Sequence, residues 1–369
     1  MIKEFGWKEL SGLVSTLGRT YVSEREQALY FNWSASGVEF QFRGTRLSAR
    51  FCAEYGEEVE GVPWDEAAPR RKTWPWVAVY LDDQPEPARI FEVSAPEQDW
   101  LLFQSEQPET HRIRVLKRTE NYKTFLGLRS LAMEGDILPA VLSPRKRIEF
   151  VGDSITCGFG NGSKERDRAF FSAEEDGPLA YGPRAAELLN MEVSCVCISG
   201  ITAVKHQSWP VAFAMDELYA YTDRPHQEKS GLGNDLSRWD FAAKQNDYVM
   251  LNLGTNDAYA TLFGGDNEEA AFDRDYLALL KQVRACNGPS TQIVCALGSM
   301  NYYLWHNIVC AMEAYRQQTG DTKIHLYRFR LMHPMDGFGA AGHPSMATHE
   351  KMAQEIANVI RSLETNGKG

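Results

Sequence analysis

Residues 147–160 read Arg-Ile-Glu-Phe-Val-Gly-Asp-Ser-Ile-Thr-Cys-Gly-Phe-Gly. Arg147 to Val151 is a short apolar run of the kind a buried strand needs. Gly152-Asp153-Ser154 breaks that run, and Ile155 to Gly160 is too glycine-rich to continue it. A serine at the carboxyl end of a strand in an open α/β sheet lies where such folds place their ligands. A strand-to-loop turn can also hold its hydroxyl toward substrate, as a nucleophile requires. Gly-Asp-Ser alone is a common tripeptide; its weight here comes from an ordered series of similar signals downstream.

Beyond it the pattern is strand, helix, strand. Strand candidates are 148–151, 193–198, 248–253, 293–297 and 324–327, and helical patterns cover 180–189, 268–286 and 305–318. An amphipathic helix over 346–363 closes the chain. Alternation of this kind predicts a parallel, three-layer α/β domain over 146–369. The second strand ends in Ser199-Gly200, the third in Gly254-Thr255-Asn256-Asp257, and His343-Pro344-Ser345 precedes the last helix. In a parallel sheet all of these points share one rim with Ser154.

Residues 1–140 have a different period. Val38, Phe40 and Phe42 alternate with polar residues, and Leu47, Ala49 and Phe51 do so after Gly44. Further runs at 76–81, 88–93, 100–103 and 112–116, with Leu126 to Met133 as a last strand, predict an antiparallel β-sandwich. Residues 54–72 read as a long solvated loop, and Asp136 to Arg145 as the linker between two domains.

Composition narrows the function. A formal charge of -11 with scattered Lys and Arg argues against nucleic acid as a partner. No apolar run approaches the roughly 20 residues of a membrane span, and the first ten residues do not read as a secretory leader. Seven cysteines without a Cys-x-x-Cys pair fit reduced core thiols in a cytoplasmic protein rather than a metal site. Gly158-Phe159-Gly160-Asn161-Gly162 has the wrong spacing for a dinucleotide fingerprint.

The rim residues supply the parts of acyl transfer. Ser154 is the candidate nucleophile and His343 its base, preferred over His333, which sits in the same His-Pro dipeptide. The Ser154 and Gly200 backbone N–H groups and the Asn256 amide are candidate oxyanion donors. Asp153 and Asp257 read as structural acids that order their turns. Trp209, Tyr259 and Trp305 are candidate sugar-stacking residues, and His206, His306 and His349 read as surface or pocket-wall residues. This chemistry needs no cofactor and no metal.

Gly-Asp-Ser, a lone Gly, Gly-x-Asn-Asp and His-Pro before the last helix, in this order, resemble the SGNH hydrolase superfamily. The extended Gly152-Asp153-Ser154-Ile155-Thr156-Cys157-Gly158, the His343-Pro344-Ser345 ending and the sandwich in front are similar to carbohydrate esterase family two. That resemblance implies an N-terminal jelly roll and an acetyl xylan esterase that removes O-acetyl groups from plant cell-wall carbohydrate. It also implies an acid three residues before the histidine, where this chain has Ala340; residue 341 is Ala as well. The preferred reading is a Ser–His dyad with a backbone carbonyl near Ala341 orienting the imidazole, and Asp336 is the candidate third member of a triad. The alternatives are a general short-chain esterase, lipase or thioesterase on the same scaffold, and a glycan-binding protein without catalysis. A cytoplasmic enzyme implies acetylated xylo-oligosaccharide as substrate, and an intracellular two-domain enzyme is often a homo-oligomer.

Overall fold

The computed structural model describes residues 2–60, 67–139, 145–209, 211–231 and 236–366. It has an N-terminal antiparallel sheet domain and a C-terminal domain on a parallel sheet.

The N-terminal sheet has nine strands, dominated by Gly37–Glu54, Glu97–Lys117 and Phe125–Leu138. Val38, Phe40, Phe42, Leu47, Ala49 and Phe51 fill one core with Val79, Phe91, Val115, Leu128 and Met133. The two runs expected on either side of Gly44 form a single strand. Its apolar period slips by one residue near Gly44, and a turn and an irregularity within a strand leave the same signature. A Cβ on Gly44 would lie 2.1 Å from the Glu134 carbonyl, so this glycine serves close backbone approach rather than a turn.

Three expectations are corrected here. A helix, Trp7–Leu13, lies in the half read as all-β and seats Leu10 in the core. The stretch read as a solvated loop contains a hairpin, Gly56–Val59 with Arg70–Thr73. Glu58 of that hairpin is buried, because it ion-pairs with Arg71 and accepts the Ser172 N–H at 2.9 Å. Strand pairing continues through Leu138 into the expected linker, of which residues 140–144 lie outside the described residues.

The C-terminal sheet has five parallel strands. In chain order they are Arg147–Gly152, Glu192–Cys197, Tyr248–Asn252, Gln292–Leu297 and Ile324–Arg328, and in space they run second, first, third, fourth, fifth. Alternate residues feed two cores. Ile148 and Phe150 pack with Tyr181–Leu189 and Met346–Asn366 on one face. Val151, Leu251 and Ile293 pack with Asp266–Asn287 and Trp305–Thr319 on the other. The strand order reverses between the first and third strands, so a crevice is expected beyond their carboxyl ends.

The two domains share polar and apolar interior. Trp33 of the N-terminal domain joins the Val151 and Leu251 core and donates to the Thr222 carbonyl at 2.8 Å. Arg19 reaches the first parallel strand, where its guanidinium clasps both Glu149 oxygens at 3.0 Å. Arg118 donates to Asp176 at 2.8 Å, and Asn32 and Asn121 both donate to Asp223.

Candidate active site

Ser154 opens a one-turn helix, Ser154–Cys157, capped by Asp153, whose carboxylate accepts the Ile155 N–H at 2.9 Å. Burial pushes the Asp153 carboxyl up to about 7. A Cβ on Gly152 would lie 2.0 Å from Thr156 Oγ1, so only glycine lets the strand turn this tightly into the helix. Ser154 Oγ stands 3.0 Å from His343 Nε2.

The imidazole is oriented by main chain. His343 Nδ1–H donates to the Ala340 carbonyl at 3.1 Å, which fixes Nε2 as the acceptor for the serine. That carbonyl is itself held. Ala340 N–H donates to Gly160 O at 3.0 Å, Ala341 N–H to Arg168 O and Gly342 N–H to Arg166 O, with Ala341 in the left-handed region at φ 50°. Ala340 Cβ faces Gly160, where an added Cβ would stand 2.5 Å away. The position three before the histidine therefore points at backbone and not at the imidazole. Phe159 packs on the His343 ring with centroids 4.3 Å apart.

Asp336 does not reach His343. Its carboxylate takes the Lys351 ammonium at 2.5 Å and its carbonyl accepts the Ser345 hydroxyl. Asp336→Ala is therefore expected to leave kcat/KM within about threefold of wild type, since a partly exposed ion pair contributes at most about 1 kcal/mol. A loss of several hundred-fold in steady-state assays would restore Asp336 to a triad.

Gly200 adopts φ +80°, open to glycine without strain. Its carbonyl accepts the Trp209 indole N–H at 2.8 Å. Asn256 donates one amide hydrogen to the Ile201 carbonyl at 2.8 Å and keeps a second. Asp257 ties this loop together, accepting the Ala203 and Val204 N–H groups and facing His206 Nε2 at 3.0 Å. His206 and His349 are corrected from wall residues to buried ones: His206 bridges Asp257 and Glu268, and His349 accepts the Tyr181 N–H. Trp209 stacks on Tyr259 at 6.3 Å beside the Gly200 loop, and Phe263 on the same helix is exposed. Trp305 instead packs against the hydrophobic core beneath Arg328.

Burial pushes the His343 imidazole down to about 4 and that of His349 to about 3. Both are neutral when folded and take up protons near 6.5 when unfolded. Unfolding therefore binds protons, and stability present above pH 6.5 is lost as pH falls toward 4. The acid limb of kcat/KM is expected in the same window, below an ordinary histidine. Rate profiles from pH 4 to 8, with samples returned to neutral pH before assay, separate titration from unfolding; a limb at or above 6.5 contradicts this environment for His343.

Sequence reasoning missed the N-terminal contribution. Glu120 is buried against the Ser154 turn, where its carboxylate faces the Cys157 thiol at 3.6 Å. Lys123 lies over the rings of Phe159 and Phe170. The polar run Lys117 to Asn121 was the available signal, and it reads equally well as a turn between strands. Among the described residues, Glu120, Cys157 and Glu175, and separately Glu26, Glu54 and His226, are close enough together to hold an ion. Lys123 pairs with the first set and Lys229 with the second, so a cation would compete with an ammonium at either.

Comparison with known proteins places this geometry. Residues 16–140 match the carbohydrate esterase 2 N-terminal model, and residues 150–363 match the GDSL-like lipase/acylhydrolase family. A cellulase/esterase, CelE, of Acetivibrio thermocellus is 30% identical over 341 residues, covering 89% of this chain but only 37% of that protein. An acetylxylan esterase/glucomannan deacetylase of Cellvibrio japonicus is 24% identical over 95% of this chain and 88% of its own length. A family two carbohydrate esterase from Clostridium thermocellum, solved with cellohexaose, superimposes with a TM-score of 0.79 at 27% identity, over 95% of this chain and 99% of that one.

Proposed function

The chain belongs to the GDSL-like lipase/acylhydrolase family, with a carbohydrate esterase 2 N-terminal domain, and from that premise we propose that it is a serine esterase that removes O-acetyl groups from xylan-derived carbohydrate. The observation that carries this reading is the 3.0 Å approach of His343 Nε2 to Ser154 Oγ, with Nδ1 tied to a carbonyl. Ser154 Oγ attacks the acetyl carbonyl as His343 takes its proton. The Ser154 and Gly200 N–H groups and the Asn256 amide receive the oxyanion, each worth about 10²–10³ in rate. His343 returns the proton to the departing sugar hydroxyl, leaving an acetyl-Ser154 ester. A water, deprotonated by His343, then releases acetate and restores the serine.

The Ala340 carbonyl supports a dyad without a carboxylate, since it can supply the orientation an aspartate supplies elsewhere. Trp209 and Tyr259 beside the Gly200 loop are suited to stacking a pyranose face. The relatives' names support acetyl on xylan or glucomannan as the ester class. We read the N-terminal sheet as a jelly roll, from long strands folded over one core. Unpaired thiols at Cys157, Cys195 and Cys197 fit a reducing compartment and so an oligosaccharide substrate; cell fractionation tests that placement.

Acetate release from acetylated xylo-oligosaccharides, compared with butyryl and longer acyl esters, tests the reading. Preference for the longer esters favours a general short-chain esterase or lipase. No turnover of any ester by folded protein favours a glycan-binding role.

A further inference from the structure

The loop that carries Gly200 is gripped from the other domain. Glu120 sits in the connection between the strands Glu97–Lys117 and Phe125–Leu138 and is 1% exposed. Its Oε2 accepts the Ser199 N–H at 2.5 Å and the Cys157 thiol at 3.6 Å. The same oxygen thus touches the residue before Gly200 and the last residue of the Ser154 helical turn.

Glu120 is held in turn. Lys123 Nζ stands 3.4 Å from Oε1, and the Glu120 N–H donates to Glu175 at 3.1 Å. The buried Lys117 ammonium donates to the Glu120 carbonyl at 2.6 Å. Burial, then the Glu120 charge, hold the Glu175 carboxyl well above the usual range. The loop needs such a grip. A Cβ on Gly200 would meet nothing nearer than Val211 at 3.8 Å, so packing on that side does not hold it. The Ser199–Gly200 peptide is held instead from its two flanks, by Glu120 on the Ser199 N–H and by Trp209 on the Gly200 carbonyl.

We propose that Glu120 is a positioning residue: the N-terminal domain supplies a buried carboxylate that fixes the Ser199–Gly200 peptide against the Ser154 turn, so that the active site is complete only when both domains are docked. The proposal rests on the esterase reading. An oxyanion donor displaced by about 1 Å costs on the order of 10² in rate.

The test compares wild type, Glu120→Gln, Glu120→Ala and Ser154→Ala. It measures kcat/KM on 4-nitrophenyl acetate, the inhibition constant of phenylboronic acid as a tetrahedral mimic, and the unfolding midpoint. Gln keeps an acceptor for the Ser199 N–H but loses the charge-assisted bond, so both kinetic quantities are expected to weaken together by about three- to tenfold. Ala is expected to weaken both by about 100-fold. A residue that only stabilises the domain contact shifts the midpoint without weakening the boronate. The proposal is overturned if both folded variants stay within about twofold of wild type, or if turnover falls while boronate affinity holds. Should Glu120→Ala not fold, Glu120→Gln decides alone: parallel loss supports the proposal and no loss overturns it. Wild type without Ser154-dependent turnover defeats the esterase reading itself, and this proposal with it.

Discussion

Ser154→Ala is expected to lower kcat/KM for 4-nitrophenyl acetate by about 10⁴–10⁶-fold, because it removes the nucleophile of the proposed acyl transfer. His343→Ala should fall in the same range. The double variant should be little worse than either single one, since nucleophile and base act as a unit. Folding should survive. The Ser154 hydroxyl is bonded to His343, whereas its helical turn is capped by Asp153 and closed by Gly158. Burst and steady-state kinetics with a matched unfolding midpoint check this. Turnover within tenfold of wild type would remove Ser154 from the mechanism.

Arg19→Met should cost about 3–5 kcal/mol of stability. Arg19 and Glu149 are 0% and 1% exposed at their side chains, so truncating one leaves an uncompensated charge in the interior. Tyr219 and Ser194 would still donate to Glu149, but the Tyr219 and Tyr221 carbonyls would lose their guanidinium partner. Adding Glu149→Leu should recover much of the loss, because buried ion pairs are often replaceable by apolar residues of similar volume. Chemical denaturation of the two single variants and the double one measures the coupling. A loss below about 1 kcal/mol for Arg19→Met would mean that water reaches the pair.

Much of the C-terminal domain was legible because parallel strands covered on both faces read as continuous apolar runs. Val193 to Ile198 and Tyr248 to Leu253 are such runs, and chemistry-bearing residues follow them directly. The antiparallel half was harder. Its long strands were found, though one was read as two runs on either side of Gly44, while the short strands Lys3–Gly6, Ser15–Leu17, Tyr21–Ser23 and Ala28–Tyr30 and the helix Trp7–Leu13 were missed, since such short segments leave little periodic signal. Residues 54–72 read as solvated because a charge-rich stretch shows no apolar period; Glu58 meets Arg71 across the hairpin and the Ser172 N–H only once the chain folds.

The local alphabet therefore singled out the candidate side chains for the proposed chemistry: Ser154 and His343 stand at the ends of elements whose hydrophobic periods declare them, and alternating strands and helices bring such ends to one rim. What orients them came from the folded chain. The resemblance pointed to a backbone carbonyl near Ala341, but every residue carries a carbonyl, and it is the tight turn pinned by Gly160, Arg166 and Arg168 that selects Ala340 O as the partner of His343. Likewise Glu120 and Arg19 are ordinary charges in a β-patterned half, and their roles arise from contacts 79 and 130 residues away along the chain. Hydrophobic period acts between near neighbours in sequence. Buried hydrogen bonds and charges find their partners only in three dimensions.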